Sequence, residues 1–154
     1  MYHPRFKGTH YEAGLKFGTI LKKQNVNFDE LIVLNDFHEN FGLKSQIILA
    51  EIFPEVYDEI RGIADGLNYC RERFASWLLC MACCLKGCTA FCFRHEGNII
   101  YGRNNDLPPE LKKLSQSAFY KLDGSFSFIG NTSSMVNLEE GINEKGLANE
   151  VYRG

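Results

Sequence analysis

The sequence has no large excess of charge of either sign and no long hydrophobic run. Its formal net charge is −2, from 17 Lys and Arg against 19 Asp and Glu. Such a balance gives no electrostatic reason to expect a nucleic acid or an anionic membrane as the partner. The longest apolar stretch, Ala75 to Leu85, is shorter than the ~18 residues that indicate a membrane span. The sequence therefore predicts no nucleic-acid partner and no membrane partner.

The first residues also lack the basic and apolar regions of a secretory signal. Without such a signal, we expect the six cysteines to be reduced thiols rather than disulfides, and the protein to be cytoplasmic. Hydrophobic residues make up 45% of the 154-residue chain and charged residues 23%, which is ordinary for a globular protein. This length fits one domain with a core of its own.

The first half of the chain carries helix signals. Thr9 begins a capping box, which predicts a helix that ends near residue 23. A second helix is predicted over 28–40 and stopped by Gly42. Further helices are predicted over 43–68, around Pro54, and over 71–85. Gly14 and Gly18, four residues apart in the first helix, permit a close helix contact; the alternative is that they only lower helix propensity.

From residue 88 the apolar period changes to two, which indicates β-strands. Turn residues at 96–98 and at Asp123-Gly124 predict two hairpins. The predicted strands are 88–95, 98–104, 117–122, 125–130 and 147–152. Helices followed by a meander of strands predict the α+β class.

The first predicted hairpin brings three chemically useful residues towards one another, Cys88, Arg103 and Asp106. A guanidinium beside a thiol favours the reactive thiolate, and a carboxylate can orient a cation. This combination suits a covalent catalyst. The alternative is that Cys88 is a buried strand residue and that Arg103 and Asp106 form a surface ion pair.

A zinc site is a further alternative, because five of the six cysteines fall between Cys80 and Cys92. Cys80-x-x-Cys83 has the spacing of half a zinc site, but Cys88 and Cys92 lack paired metal-ligand spacing. On a helix, Cys80, Cys83 and Cys84 share one apolar face, which favours a role in the core. The prediction is that the protein binds no metal.

Gly87-Cys88-Thr89, followed by Gly-Arg-Asn-Asn-Asp at 102–106, resembles the N-terminal-nucleophile (Ntn) amide hydrolases. More narrowly, it resembles the acyl-CoA:6-aminopenicillanate acyltransferase family (peptidase family C45) and its choloylglycine hydrolase relatives. Residues 8–18, 59–67 and 141–148 resemble three further landmarks of that family, in the same order.

This resemblance implies an αββα sandwich, present here in part, and a self-cleavage between Gly87 and Cys88. Residues 1–87 would be the helical α-portion and residues 88–154 the start of the catalytic β-portion. Cys88 would be the nucleophile, with its own α-amine as the base, while Arg103 orients substrate and Asp106 holds the α-ammonium. The implied substrate is a small-molecule linear amide or an acyl-CoA-type thioester, and no cofactor is implied.

The family's β-portion continues beyond the landmark at 141–148, so the resemblance implies an incomplete domain. The family's oxyanion-hole Asn would lie in the absent portion; by residue type alone, Asn104, Asn131 and Asn149 are the candidates here. We expect the chain to form a homo-oligomer or to need the missing portion in trans. The alternative function is a catalytically inactive remnant that acts as a binding or assembly module.

Overall fold

The computed structural model describes residues 3–25, 27–80, 88–105, 115–132 and 138–150, with the backbone alone for Leu31, Cys88, Asn105 and Glu150. In chain order the elements are β1 (Arg5–Gly8), α1 (His10–Lys23), α2 (Phe28–Leu31), α3 (Asp36–Ile52), α4 (Pro54–Leu67), α5 (Arg71–Cys80), β2 (Cys88–His95), β3 (Asn98–Asn105), β4 (Gln116–Leu122), β5 (Phe128–Thr132), β6 (Glu140–Asn143) and β7 (Ala148–Glu150). The predicted α+β class is confirmed.

The described strands form two sheets. A five-stranded sheet has the order β1-β4-β5-β6-β7, in which β1 runs parallel to β4 and the other neighbours are antiparallel. β2 and β3 form a separate antiparallel hairpin, which we call the 88–105 hairpin. β1, which precedes the helices, therefore pairs in parallel with β4, which follows them. This pairing brings the two ends of the helical segment to the same sheet.

The core lies between the helices and one face of the five-stranded sheet. Phe6 on β1 contacts Phe17 of α1 and Tyr120 of β4, with ring centroids 5.9 Å and 5.1 Å away. Ala118 and Leu122 alternate with exposed residues along β4, so their face of the strand is the buried one. Burial of these apolar side chains is the main stabilising contribution to such a domain. No described helix is long and apolar enough to cross a membrane.

α1 and α4 cross at four glycines, Gly14 and Gly18 on one helix and Gly62 and Gly66 on the other. A Cβ added at any of them would overlap main-chain atoms of the opposite helix. A side chain at these positions would therefore push the helices apart. The predicted close helix contact of Gly14 and Gly18 is confirmed, and the sequence reading missed the matching pair on α4.

The predicted helix over 28–40 is wrong. α2 ends at Leu31, and α3 begins after Asn35, whose side chain accepts a hydrogen bond from the His38 amide at 2.9 Å. Gly42 lies inside α3 rather than at its end. Glycine is required there because a Cβ at this position would overlap Ser76 of α5. Gly42 therefore permits a close contact between two helices, whereas the sequence alone indicates that it ends a helix.

The predicted strand over 125–130 begins later than expected, whereas the predicted strand over 147–152 is present as β7; residues 151 and 152 lie outside the described residues. The turn at Asp123-Gly124 is present, because Ser125 donates to the Leu122 carbonyl at 3.2 Å and Gly124 has a φ of +76°, but the β4–β5 ladder ends at the pair of Tyr120 with Phe128. β5 therefore starts only at Phe128, and β7 is described from 148 to 150. β6 was recognised as a landmark but not as a strand. Residues 81–85 of the predicted helix over 71–85 lie outside the described residues.

Large apolar side chains are exposed on α3, on the 88–105 hairpin and on the five-stranded sheet, where Ile129 and Ile142 are 47% and 48% exposed. Phe37, Phe41, Ile48 and Ile52 form one stripe along α3 at helical spacing and are 64%, 39%, 55% and 59% exposed. On the 88–105 hairpin the exposed apolar residues are Phe91, Phe93, Ile99 and Ile100. Exposed apolar surface of this extent is unusual for a soluble monomer and is typical of surfaces that contact something else.

Candidate functional site

The 88–105 hairpin turns through Glu96 and Gly97, whose φ angles are +49° and +80°. Two successive left-handed residues form a tight two-residue turn that matches the twist of the flanking strands. Because this turn fixes the register, Cys88 pairs with Asn105 and Ala90 pairs with Arg103. Alternation along the strands puts positions 88 and 90 on the same face of the hairpin as Arg103. The backbone of Cys88 thus lies two residues along the strand from the pair that contains Arg103.

Arg103 is buried and ion-paired. Its side chain is 4% exposed, and its Nη2 lies 3.4 Å from Oε2 of Glu139, whose side chain is 9% exposed. Buried guanidinium groups require a counter-charge, because transfer of an unpaired charge from water is very costly. The interpretation of Arg103 as part of a surface ion pair is therefore wrong.

A cleft of about 280 Å³ separates the hairpin from the five-stranded sheet. Tyr101, Gly102 and Arg103 line the side of the hairpin. Side chains of β4, β5 and β6 line the other side, namely Ser117, Ile129, Asn131, Glu140 and Ile142. The cleft thus combines an apolar wall, a guanidinium, a carboxylate and an amide, and a mixed lining of this kind can bind and orient a small polar–apolar molecule.

Among the three candidate asparagines, Asn131 lines this cleft, and its Nδ2 donates to Oε1 of Glu140 at 2.8 Å. Asn149 lines a different cleft beside Phe126 and Leu147. Asn104 pairs with Thr89 and so belongs to the opposite face of the hairpin from Arg103. The geometry therefore brings Asn131, rather than the other two, to the cleft that contains Arg103.

Three predicted site features lie outside the described residues. These are Gly87, Asp106 and the side chain of Cys88. Their roles stay predictions.

The cysteines that the structure describes fully do not share a site. Cys80 is buried and its Sγ donates to the His38 carbonyl oxygen at 2.9 Å, whereas Cys92 is exposed. Within the described parts of the chain, no three His, Cys, Asp or Glu residues form a group that could hold a metal ion. Cys83, Cys84 and the thiol of Cys88, which the zinc and core interpretations also involve, lie outside that description.

Sequence reasoning missed Glu139. Glu139 directly precedes β6, and its side chain is 9% exposed. A carboxylate at a buried position requires a cationic partner, and this requirement was the available signal. It was not used, because the strand at Glu140–Asn143 had not been predicted.

Most of the hairpin, the residues that line the cleft and β6 lie in a segment that is similar to a family of acyl-transferring enzymes. Residues 92–151 match the family described as acyl-coenzyme A:6-aminopenicillanic acid acyl-transferase. The match covers less than half of the chain; it includes Arg103, Asp106 and Glu139, and begins four residues after Cys88. No protein among the curated proteins matches the chain. The C-terminal part of this chain is thus similar to that acyltransferase family.

Proposed function

We propose that the protein is an Ntn-type amide hydrolase or acyltransferase whose nucleophile is Cys88. The observation that carries this proposal is the similarity of residues 92–151 to the acyltransferase family, in a segment that contains the buried Arg103. The hairpin register, which pairs Cys88 with the residue before Asp106, supports it. In this proposal residues 1–87 are the pro-segment and residues 88–154 belong to the catalytic portion.

Activation begins with self-cleavage. The sulfur of Cys88 attacks the Gly87 carbonyl carbon, the C–N bond breaks, and the nitrogen takes up a proton to become the α-amine. Water then hydrolyses the resulting thioester and leaves a Gly87 carboxylate. Glycine suits this position, because a residue without a side chain leaves the scissile carbonyl accessible. The product has Cys88 as a new N-terminus.

The free α-amine of Cys88 then serves as the general base. An α-amine has an ordinary pKa of about 7.7–8.0, so it accepts the thiol proton near neutral pH without a histidine. The sulfur attacks the substrate carbonyl carbon, and the leaving amine or thiolate departs with that proton. Water or an acceptor amine then attacks the acyl-enzyme, gives up a proton and restores the thiol.

The remaining roles follow from charge and position. Asp106 holds the α-ammonium, and Arg103 orients the acyl carbonyl from the wall of the cleft. In this proposal the guanidinium of Arg103 also lowers the pKa of the Cys88 thiol. The proposed substrates are linear amides or acyl thioesters of small molecules, and no cofactor takes part.

Acyl-enzyme trapping tests this function. Purified protein is incubated with a panel of short-chain acyl thioesters and linear amides, quenched in acid and digested for mass spectrometry. We expect the acyl mass on the peptide that contains Cys88, and none in Cys88→Ala. Cys92→Ala is the matched control and should acylate normally, because position 92 lies about 13 Å along the strand. Acylation of Cys92 or Cys70 in place of Cys88 would contradict the proposal.

An inactive binding or assembly module is the second candidate function. The exposed apolar stripe on α3 and the exposed face of the hairpin favour it, because such surfaces are typical of contact sites. The same trapping experiment separates the two. A module would leave Cys88 unacylated by every donor, and the chain would stay intact at Gly87-Cys88.

A further inference from the structure

The ion pair of Arg103 and Glu139 joins two sheets that share no strand pairing. Arg103 belongs to β3 of the hairpin, and Glu139 directly precedes β6 of the five-stranded sheet. Both side chains are less than a tenth exposed, and their charged atoms are 3.4 Å apart. The pair therefore connects the hairpin to the five-stranded sheet, at the hairpin residue that lines the cleft.

The backbone holds both ends of this pair in place. The amide of Glu139 donates to the Asn131 carbonyl at 3.0 Å, next to the Asn131–Glu140 pair at the end of the β5–β6 ladder. Arg103 is held by its pairing with Ala90, in the middle of the hairpin ladder. An arginine side chain is long and flexible, so its backbone alone does not fix the guanidinium. The carboxylate of Glu139 is a counter-charge within reach of the guanidinium, and contact with it favours one position of the side chain.

We propose that Glu139 is the positioning residue of the site: it anchors the guanidinium of Arg103 at the wall of the cleft, beside the strand of Cys88. This inference rests on the proposed function and extends it by one residue. It makes Glu139 act through Arg103, without contact with substrate. Loss of the Glu139 charge then has the same consequence as loss of the guanidinium itself.

The test measures the pKa of the Cys88 thiol by mass-resolved alkylation. Iodoacetamide labelling rates are followed on the Cys88 peptide from about pH 5 to about pH 10, since only the thiolate reacts. In Arg103→Gln we expect the thiol pKa to rise towards the ordinary value of about 8.5. Glu139→Gln should give the same rise, with labelling near pH 7 slowed roughly tenfold for a shift of one pKa unit. Glu139→Asp, which keeps the charge, should retain most of the wild-type rate.

A matched control comes from a surface pair. Asp58 and Arg61 are 2.8 Å apart, with side chains 48% and 39% exposed. Asp58→Asn removes a carboxylate that is paired with an arginine far along the chain from the hairpin, and it should leave the labelling profile of Cys88 unchanged. Circular dichroism on every variant confirms that the fold is retained.

Two results would overturn the proposal. In Glu139→Gln the thiol pKa stays at its wild-type value or falls, as it would if Glu139 only screened the guanidinium. In an Arg103→Gln background, adding Glu139→Gln shifts the pKa further, which would show that Glu139 does not act through Arg103. The double variant removes both charges of the pair together, so it stays informative if Glu139→Gln alone does not fold.

Alkylation requires no turnover, so it separates this inference from the proposed function. A wild-type protein that never forms an acyl-enzyme, but whose Cys88 pKa rises in Glu139→Gln, refutes the enzyme and supports the positioning role. A protein that acylates Cys88 equally fast with and without the Glu139 charge supports the enzyme and refutes the positioning role.

Discussion

Gly14→Ala tests the helix crossing that organises the helical layer. Alanine is favoured over glycine within a helix by up to about 1 kcal/mol. An added Cβ at position 14, however, would overlap the Glu59 carbonyl oxygen and lie 2.9 Å from its carbon and 3.0 Å from the Ile63 nitrogen. These are main-chain atoms, so no side-chain rotation relieves the overlap and the two helices must separate.

The cost follows from the residues next to the crossing. Phe17, Leu21, Ile60 and Ile63 are at most 3% exposed and lose contacts if α1 and α4 move apart. Overpacking of a core typically costs about 1–3 kcal/mol, and the rigid main-chain contact favours the upper end. After subtraction of the propensity gain, we expect Gly14→Ala to destabilise the protein by about 2 kcal/mol. For a chain of this size the melting temperature would fall by roughly 4–8 °C.

Urea unfolding provides the measurement. The midpoint should fall with an unchanged slope, which identifies a loss of stability without a change in the surface exposed on unfolding. The matched control is the exposed α3 residue Glu51, where a comparison of the Ala and Gly variants should favour Ala by the propensity difference of up to about 1 kcal/mol. If Gly14→Ala instead stabilised the protein by up to about 1 kcal/mol, as Ala over Gly does at position 51, the close contact would be refuted. Such a result would mean that Gly14 only lowers helix propensity.

Three further predictions concern the site, pH and assembly. Asp106→Asn should lower acyl turnover roughly a hundredfold or more, and Arg103→Lys should not sustain activity, because a point charge does not replace a planar fork; near-normal rates in either variant would contradict the assigned roles. The Glu59 carboxylate accepts a hydrogen bond from Nδ1 of protonated His10 at 3.0 Å, which raises the pKa of His10 above its ordinary value against the opposing effect of burial. The stability that this contact adds is therefore fully present below the unfolded pKa of about 6.5 and is lost as the pH rises through the folded pKa. Glu59→Gln should cost about 1 kcal/mol more at pH ~5.5 than at pH ~8.5 by urea unfolding, and a cost independent of pH would show that the charged pair is not formed. Sedimentation at several concentrations should show self-association that Ile48→Glu weakens, whereas a compact monomer without dye-binding apolar surface would contradict the expectation drawn from the exposed α3 stripe.

Local signals predicted the elements that local interactions determine. The capping box of Thr9 and Glu12 is present with both of its hydrogen bonds, and Pro54 occupies the first turn of α4. Gly42 misled the sequence reading because its neighbour Ser76 is distant in sequence. The parallel pairing of β1 with β4 was missed for the same reason, since no local pattern identifies a partner so far along the chain.

In the site, too, the locally determined feature was predicted and the features that depend on tertiary packing were not. The tight turn at Glu96-Gly97 let the sequence predict a hairpin that pairs Cys88 with the residue before Asp106. Neither the burial of Arg103 nor its pairing with Glu139 follows from spacing, because both require the packing of one sheet against another. The cleft is likewise a product of tertiary structure, with its two sides contributed by separate sheets.

The central claim is that Cys88 is an Ntn-type nucleophile, and intact-mass measurement after expression tests it most directly. Wild-type protein should contain a fragment that begins at Cys88, paired with a fragment that ends at Gly87. Cys88→Ala should give only the uncut chain at an unchanged fold, because replacing a thiol with a methyl group is a mild change in packing. Cleavage between residues 87 and 88 that persists in Cys88→Ala, or a wild-type chain that stays uncut while Cys88 forms no acyl-enzyme, would contradict the account.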